Sequence, residues 1–401
     1  MVGIELEKAV SVMLENIHEI TDAEEVNLLE ANGRVIAEGF YAPISNPPFD
    51  RSPLDGYALK AYDTKGAGRD NPIKLKVIDE VFAGEFSNKV LKNGEAIRIM
   101  TGAKMPEGAD CVVRQENTNE DMEEVEIYKE LSAHDNYIFK GEDIVKGDLL
   151  IKKGEVLNYV HQGIIASMGK SSVKVIRKIK AALFVTGDEV SSPGKDLSDG
   201  KIYDSNLYLI YSRLVEFGIT PIFAEIIEDK YEKVAERIKK VIDEVDIVIT
   251  TGGVSVGKKD ILHEAIPFLG ADRIFWKVKL KPGTPAMFSI YRNKPILSLS
   301  GNPFAALSTF ELLGRPVLSK ISGNFNINTR TVTAVMDSDF NKSSKVRRFV
   351  RGLYEDGKIK LISNKHSSGM LSSMNGCNAL IDIKAGTAKL SDGDDVSVIL
   401  L

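Results

Sequence analysis

The sequence predicts a multidomain chain of the α/β-plus-β class. Its parts are a three-layer α/β domain, a proline-loop β domain, an elongated helical or linker module and a β-barrel-like C-terminal domain. Three observations predict this. Residues 176–324 alternate short β-branched runs with amphipathic stretches, the mark of a mostly parallel sheet covered by helices. Residues 46–139 place short β-like runs behind a proline-rich block, and residues 325–401 read as short strands with Gly and Ser turns. At 401 residues the chain is also too long for a single core.

Taken in order, residues 5–20 carry Ala9, Val10, Met13, Leu14 and Ile17 at the spacing of one helix face. Residues 24–37 form a second short helical or extended piece. With a helix over 161–168 stopped by Gly169, segments 1–45 and 140–175 are expected to build one elongated module that serves dimerisation. Four prolines between Pro43 and Ala58 exclude helix and central strand alike and predict a rigid loop. That loop carries Asp50, Arg51, Ser52 and Asp55, with Phe49, Leu54 and Tyr57 to anchor it, which favours a functional loop over a linker. Strands follow over 75–78, 96–100, 111–113 and 125–128. The α/β part then runs as strand 181–185, helix 207–217, strand 220–227, helix 231–245, strand 246–250, a helix after Asp260, strands 275–280 and 295–299, and a helix over 302–319. A break near 322–324 opens the last domain.

Composition excludes several classes. With 43% hydrophobic and 27% charged residues the chain reads as soluble and globular, and a net charge of -5 argues against nucleic-acid binding. Cys111 and Cys377 make neither a disulfide framework nor a zinc site, consistent with a reducing cytoplasm. The five histidines lack metal-ligand spacing. No apolar run reaches the roughly 20 residues of a membrane span, and the start lacks a basic-then-apolar signal.

The chemistry centres on Asp246 to Asp260, D-I-V-I-T-T-G-G-V-S-V-G-K-K-D. A buried strand runs into Gly252-Gly253, where positive φ and bare backbone admit an anion, and a helix begins just beyond. The alternative is a tight turn with no ligand. Asp260 reads either as an N-cap or as a carboxylate that recruits Mg²⁺. Two further loops, 186–189 and 298–303, share the carboxyl edge of the same sheet, where α/β proteins bind ligands. Lys277 and Lys281 read as phosphate or oxoanion ligands, or as ordinary surface lysines. With carboxylates beside lysines and no Ser/His/Asp set, metal-assisted phosphate chemistry is favoured over acyl transfer. Asp110 and Cys111 read as structural, and Trp276 as a packing residue.

Seven ordered blocks add a resemblance: P-P-F-D-R-S-P-L-D-G-Y-A (47–58), T-G-A-K-M-P-E-G-A-D (101–110), T-G-D-E (186–189), I-Y-D-S-N (202–206), T-T-G-G-V-S-V-G-K-K-D (250–260), K-P-G-T-P (281–285) and G-N-P (301–303). Their order and spacing resemble the molybdopterin molybdenumtransferase family, which includes the MoeA proteins and the E domain of gephyrin. The resemblance implies a homodimeric enzyme of four-part subunits. It takes adenylylated molybdopterin and molybdate or tungstate, inserts the metal and releases AMP with Mg²⁺, after an upstream molybdopterin adenylyltransferase that is a further partner. It implies an acidic set of Asp188, Glu189, Asp229 and Asp260, of which Asp188, Glu189 and Asp260 are metal ligands. Asp55 and Thr101 would come from the partner subunit. Substrate would be held by Gly252, Gly253, Ser255, Lys277, Lys281, Ser300, Asn302, Arg347 and Ser368. The chain departs from the pattern at Ser300, where proline is usual, and at Thr284, where a basic residue is common. The second change puts the choice between molybdate and tungstate in question. Two rivals are a competence-damage-type nucleotide amidohydrolase, whose T-G-G-L-G-P-T loop is not matched here, and a pterin-binding scaffold without turnover.

Overall fold

The computed structural model describes residues 1–255, 261–343, 345–363 and 366–401. Four strands, Phe223–Ile227, Ala181–Thr186, Ile247–Thr251 and Lys294–Leu299, lie side by side and run parallel. Met287–Tyr291 runs against them, then Asp272–Val278 and Val2–Ile4 complete a seven-stranded sheet. The central strands are buried along their whole length, which their continuous β-branched runs require. Helices cover both faces. Asn206–Glu216 and Pro303–Thr309 pack one face through Ile210, Leu214, Phe304 and Ala306, and Tyr231–Val241 and Leu262–Leu269 pack the other through Val234, Ile238, Ala265 and Ile266. This is the predicted three-layer α/β domain. Met287–Tyr291 was not anticipated, although Pro282-Gly283 before it and Arg292-Asn293 after it mark turns.

The start of the chain departs from expectation. Val2–Ile4 pairs with Asp272–Val278, and the helix Leu6–Glu15 buries Leu6, Ala9 and Met13 in the same core as the α/β sheet. Residues 2–20 therefore pack with the α/β domain and not with the elongated module. Helical periodicity located the apolar face of this helix, but periodicity says nothing about which partner covers it. The elongated module begins at Ala23–Asn27, which pairs antiparallel with Ser172–Ile176. Its core is Leu28, Ile36, Ile151, Leu157, Ile165 and Val175. The helix Tyr159–Ser167 opens with a reciprocal capping box between Asn158 and His161.

The β domain is a five-stranded sheet in which Gly56–Leu59 lies between Cys111–Arg114 and Glu95–Ile99. The expected rigid loop thus ends in a central strand, contrary to the sequence reading, because its last proline falls three residues before the ladder begins. Gly56 is obligatory there: a Cβ would stand 1.8 Å from the carbonyl oxygen of Val113. Tyr57 is fully buried, and its hydroxyl donates to the carbonyl of Asp121 at 3.0 Å.

In the C-terminal domain Arg347–Glu355 pairs with both Lys358–Lys360 and Ala379–Ile383, and Arg330–Met336 and Asp395–Leu400 close the ring into a five-stranded barrel. Leu280–Lys281 adds to it from the α/β domain by pairing with Arg347 and Arg348. No helix among the described residues is long and apolar enough to cross a membrane.

Gly56→Ala is expected to destabilise the chain by about 3 kcal/mol, the scale of strain from overpacking a closed core. Urea unfolding measures it, and a loss below about 0.5 kcal/mol would show that the strand can shift.

Candidate active site at the sheet edge

Because the four strands are parallel and in register, their carboxyl ends converge: Thr186 is level with Ile227, Val185 with Thr251, and Thr251 with Leu299. The loops that leave them line one cavity of about 1100 Å³. Asp188 and Glu189 come from the first loop, Asp229 from the end of the edge strand, Gly252, Gly253 and Ser255 from the second loop, and Ser300 and Asn302 from the third. The opposite side is closed by Lys281 to Pro285 and by the barrel residues Arg348, His366 and Ser368. The Ser368 carbonyl accepts the Phe304 N–H at 3.0 Å, which seats the barrel loop on the first turn of the helix.

Backbone proximity sets the floor. Gly252 has φ 93° and a Cβ on it would lie 2.2 Å from the Thr186 carbonyl oxygen; Gly253 has φ 62° and is similarly crowded by Ile261. The Gly301 carbonyl accepts the Asn206 amide at 2.8 Å. Asp204 accepts the N–H of Asn206 at 3.0 Å and so caps the helix Asn206–Glu216; burial pushes its carboxyl above the usual range, against those N–H bonds. The Thr186 hydroxyl and the Asn206 amide oxygen are buried beside the cavity with no hydrogen-bond partner among the described residues. The cavity therefore has a floor of small residues, an acidic side and a basic side.

Of the residues named from sequence, Asp188, Glu189, Asp229, Gly252, Gly253, Ser255, Lys281, Ser300, Asn302 and Ser368 line this cavity. Asp260 lies outside the described residues. Lys277 does not reach the cavity: its backbone is left-handed (φ 67°), and its ammonium lies over the Trp276 ring at 4.1 Å. Arg347 is also elsewhere. Its guanidinium binds both oxygens of Asp382, at 2.6 and 2.5 Å, and also Glu7, tying the barrel to the first helix. Strand alternation explains the difference, since neighbouring side chains take opposite faces and Arg348 is the one turned to the cavity.

Asp55 and Thr101 meet each other on the β domain, outside the cavity of their own chain. The Thr101 N–H and hydroxyl both donate to one Asp55 oxygen at 2.7 Å, and these bonds hold the exposed carboxyl below its usual range.

Sequence reasoning missed Arg348, His366, Asp204 and Asn206. The last two stand in the I-Y-D-S-N block, so their signal was present. Arg348 and His366 had none, because barrel register brings the first to the site and a loop of the barrel domain the second. Trp276 does pack, as expected, but its indole also donates to the Val254 carbonyl at 3.1 Å.

This geometry defines an α/β protein with a cavity on a strand-end glycine floor, lined by carboxylates and cations, a setting suited to an oxyanion. Relatives identify the family. Residues 4–169 match the model of the MoeA N-terminal region (domains I and II), 182–320 that of a probable molybdopterin binding domain, and 333–401 that of the MoeA C-terminal region (domain IV). A molybdopterin molybdenumtransferase of Staphylococcus epidermidis is 36% identical over 378 residues, 94% of this chain and 90% of the relative. That of Bacillus subtilis is 36% identical over 387 residues, 95% of this chain and 90% of the relative. Two crystal structures of the molybdopterin biosynthesis MoeA protein from Pyrococcus horikoshii superpose with TM-scores of 0.87 and 0.84. They are 32% and 30% identical and cover 99% and 100% of both chains. The chain belongs to the molybdopterin molybdenumtransferase family, a family of transferases of molybdenum cofactor biosynthesis.

His366 supplies a pH signature of the basic wall. Burial, then the charges of Lys342, Arg351 and Arg348, push its imidazole down to about 4. Between the ordinary value of 6.5 and about 4 the unfolded chain binds a proton that the folded chain refuses, so stability falls as pH drops through that window. His366→Gln is expected to remove this part of the pH dependence in urea unfolding between pH 7 and 4.5; an unchanged slope would place the effect elsewhere.

Proposed function

We propose that this chain inserts molybdate or tungstate into adenylylated molybdopterin and releases AMP in a Mg²⁺-dependent step. The observation that carries the reading is the single cavity in which three strand-end loops, four acidic side chains and two cationic side chains meet. Gly252, Gly253, Ser255, Ser300 and Asn302 line the pterin site. Lys281, Arg348 and Ser368 bind the anionic end of the substrate or the incoming oxoanion, with Arg348 in the place first given to Arg347.

The residues suit Mg²⁺. This ion keeps most of its waters and binds through one or two carboxylates together with a substrate phosphate. Among the described residues no three or more His, Cys, Asp or Glu form a ready metal cage. Asp188, Glu189 and Asp229 instead line the cavity as separate oxygen donors, to which Asp260 would add. When bound, the ion would supply positive charge to a substrate phosphate.

A homodimer completes this reading. None of the described lining residues comes from 46–139, so Asp55 and Thr101 act only if a second copy brings its β domain across. The adjoining segments 41–44 and 145–149 expose Tyr41, Ile44, Val145 and Leu149, apolar surface that a second subunit would cover. The site of action is the cytoplasm, and the upstream adenylyltransferase hands over the substrate.

AMP release from adenylylated molybdopterin with Mg²⁺ tests the reading. Molybdate or tungstate is expected to stimulate it, and Glu189→Gln to lower kcat/KM by about 100-fold while leaving the fold intact. Pterin binding without AMP release under either oxoanion would favour a scaffold. The shared site has its own test: Asp55→Ala and Asp188→Ala chains, each inactive, are expected to recover activity as a mixed dimer. No recovery in verified heterodimers would count against a contribution from the second copy.

A further inference from the structure

The strand-end loop that floors the cavity is held from behind by side chains that play no part in the reading above. The Gly253 carbonyl accepts the Leu262 N–H at 3.1 Å. The Val254 carbonyl accepts the Trp276 indole N–H at 3.1 Å, and the Ser255 carbonyl faces His263 Nε2 at 3.2 Å. Three successive carbonyls are thus each met by a donor from a helix or strand outside the loop.

The two side-chain donors brace each other. His263 stands edge-on to Trp276 with ring centroids 4.3 Å apart at 82°, and its Nδ1 lies 3.1 Å from Nη1 of Arg273. Guanidinium nitrogens only donate, so Nδ1 accepts, and the neutral imidazole carries its proton on Nε2, aimed at the Ser255 carbonyl. One tautomer satisfies both contacts. The Lys277 ammonium lies over the indole ring, 4.1 Å from its centroid. Lys277 holds this place with a left-handed backbone, an uncommon conformation for a residue with a side chain, and its N–H is fixed on the Ala286 carbonyl at 2.9 Å.

A trans peptide points its N–H opposite to the preceding carbonyl. Fixing the carbonyls of Gly253 and Val254 therefore fixes the direction of the Val254 and Ser255 N–H groups, and both residues line the cavity. We propose that His263 and Trp276, oriented by Arg273 and Lys277, form a clamp that positions residues 252–255 for the anionic substrate. They are positioning residues: neither lines the cavity. This inference rests on the cavity's being the substrate site.

The test compares His263→Phe, which keeps an aromatic edge against Trp276 but loses the donor, with His263→Gln, whose amide can donate to the same carbonyl. Amide hydrogen exchange of the peptide spanning 250–255 reads the clamp directly. It is expected to speed up in His263→Phe and to return toward wild type in His263→Gln. In the AMP-release assay His263→Phe is expected to raise KM roughly tenfold, the scale of one lost hydrogen bond, with kcat within about twofold, and His263→Gln to recover most of the loss. Trp276→Phe should behave like His263→Phe. Unchanged exchange overturns the clamp, and faster exchange with unchanged KM overturns its role in positioning substrate. A wild-type chain that releases no AMP would overturn the proposed function alone, since the exchange rates would still decide the clamp.

Discussion

The parallel pairing of Leu280 with Arg347 and of Lys281 with Arg348 is the contact on which the site depends. It is only two residues long, yet it sets the C-terminal barrel against the open edge of the α/β sheet. Without it the strand-end loops would form a shallow shelf facing solvent. With it they become the floor of a cavity whose second wall carries Arg348, His366 and Ser368. The same register turns Arg347 the other way, onto Asp382 and Glu7, so one arginine fastens the barrel while its neighbour faces the ligand space.

Buried charge reinforces this arrangement along the sheet's opposite margin. Asp246, just before the strand that leads to Gly252, takes both guanidinium nitrogens of Arg177 at 2.7 and 2.9 Å and the Lys180 N–H at 2.8 Å. Burial alone would push that carboxyl up, but Arg177, Lys180 and the Lys294 charge together hold it below the usual range. Glu311, buried in the turn of π-helix within the long 303–322 helical segment, is held between Arg213 and Arg315. Such pairs cost desolvation when formed and fix geometry once made. Here they anchor the elements from which the site is built.

Much of this was legible in the sequence because the α/β domain obeys simple periodicities. Runs such as Ile247–Thr251, apolar and β-branched, are what strands buried on both faces require, and glycines at their ends mark where backbone must bend or approach closely. What was not legible depended on register or on distance. Val2–Ile4 is too short for any period to show, and its partner lies some 270 residues away. Gly56–Leu59 was hidden by the prolines before it. Arg347 and Arg348 differ only in parity along a strand, which no local pattern fixes. His263 and Trp276 carried no motif, because their contact with the glycine loop runs through backbone carbonyls that exist at every position.

The strand Val2–Ile4 also bears on how the chain comes to be folded. A ribosome makes this segment well before its pairing partner Asp272–Val278, with two structural units between them. The elongated module and the β domain can organise as they emerge, since their strands pair among residues 23–176. The strand Val2–Ile4 and its helix must wait for partners made some 270 residues later, so they can join the α/β sheet only after the two intervening units have been synthesised.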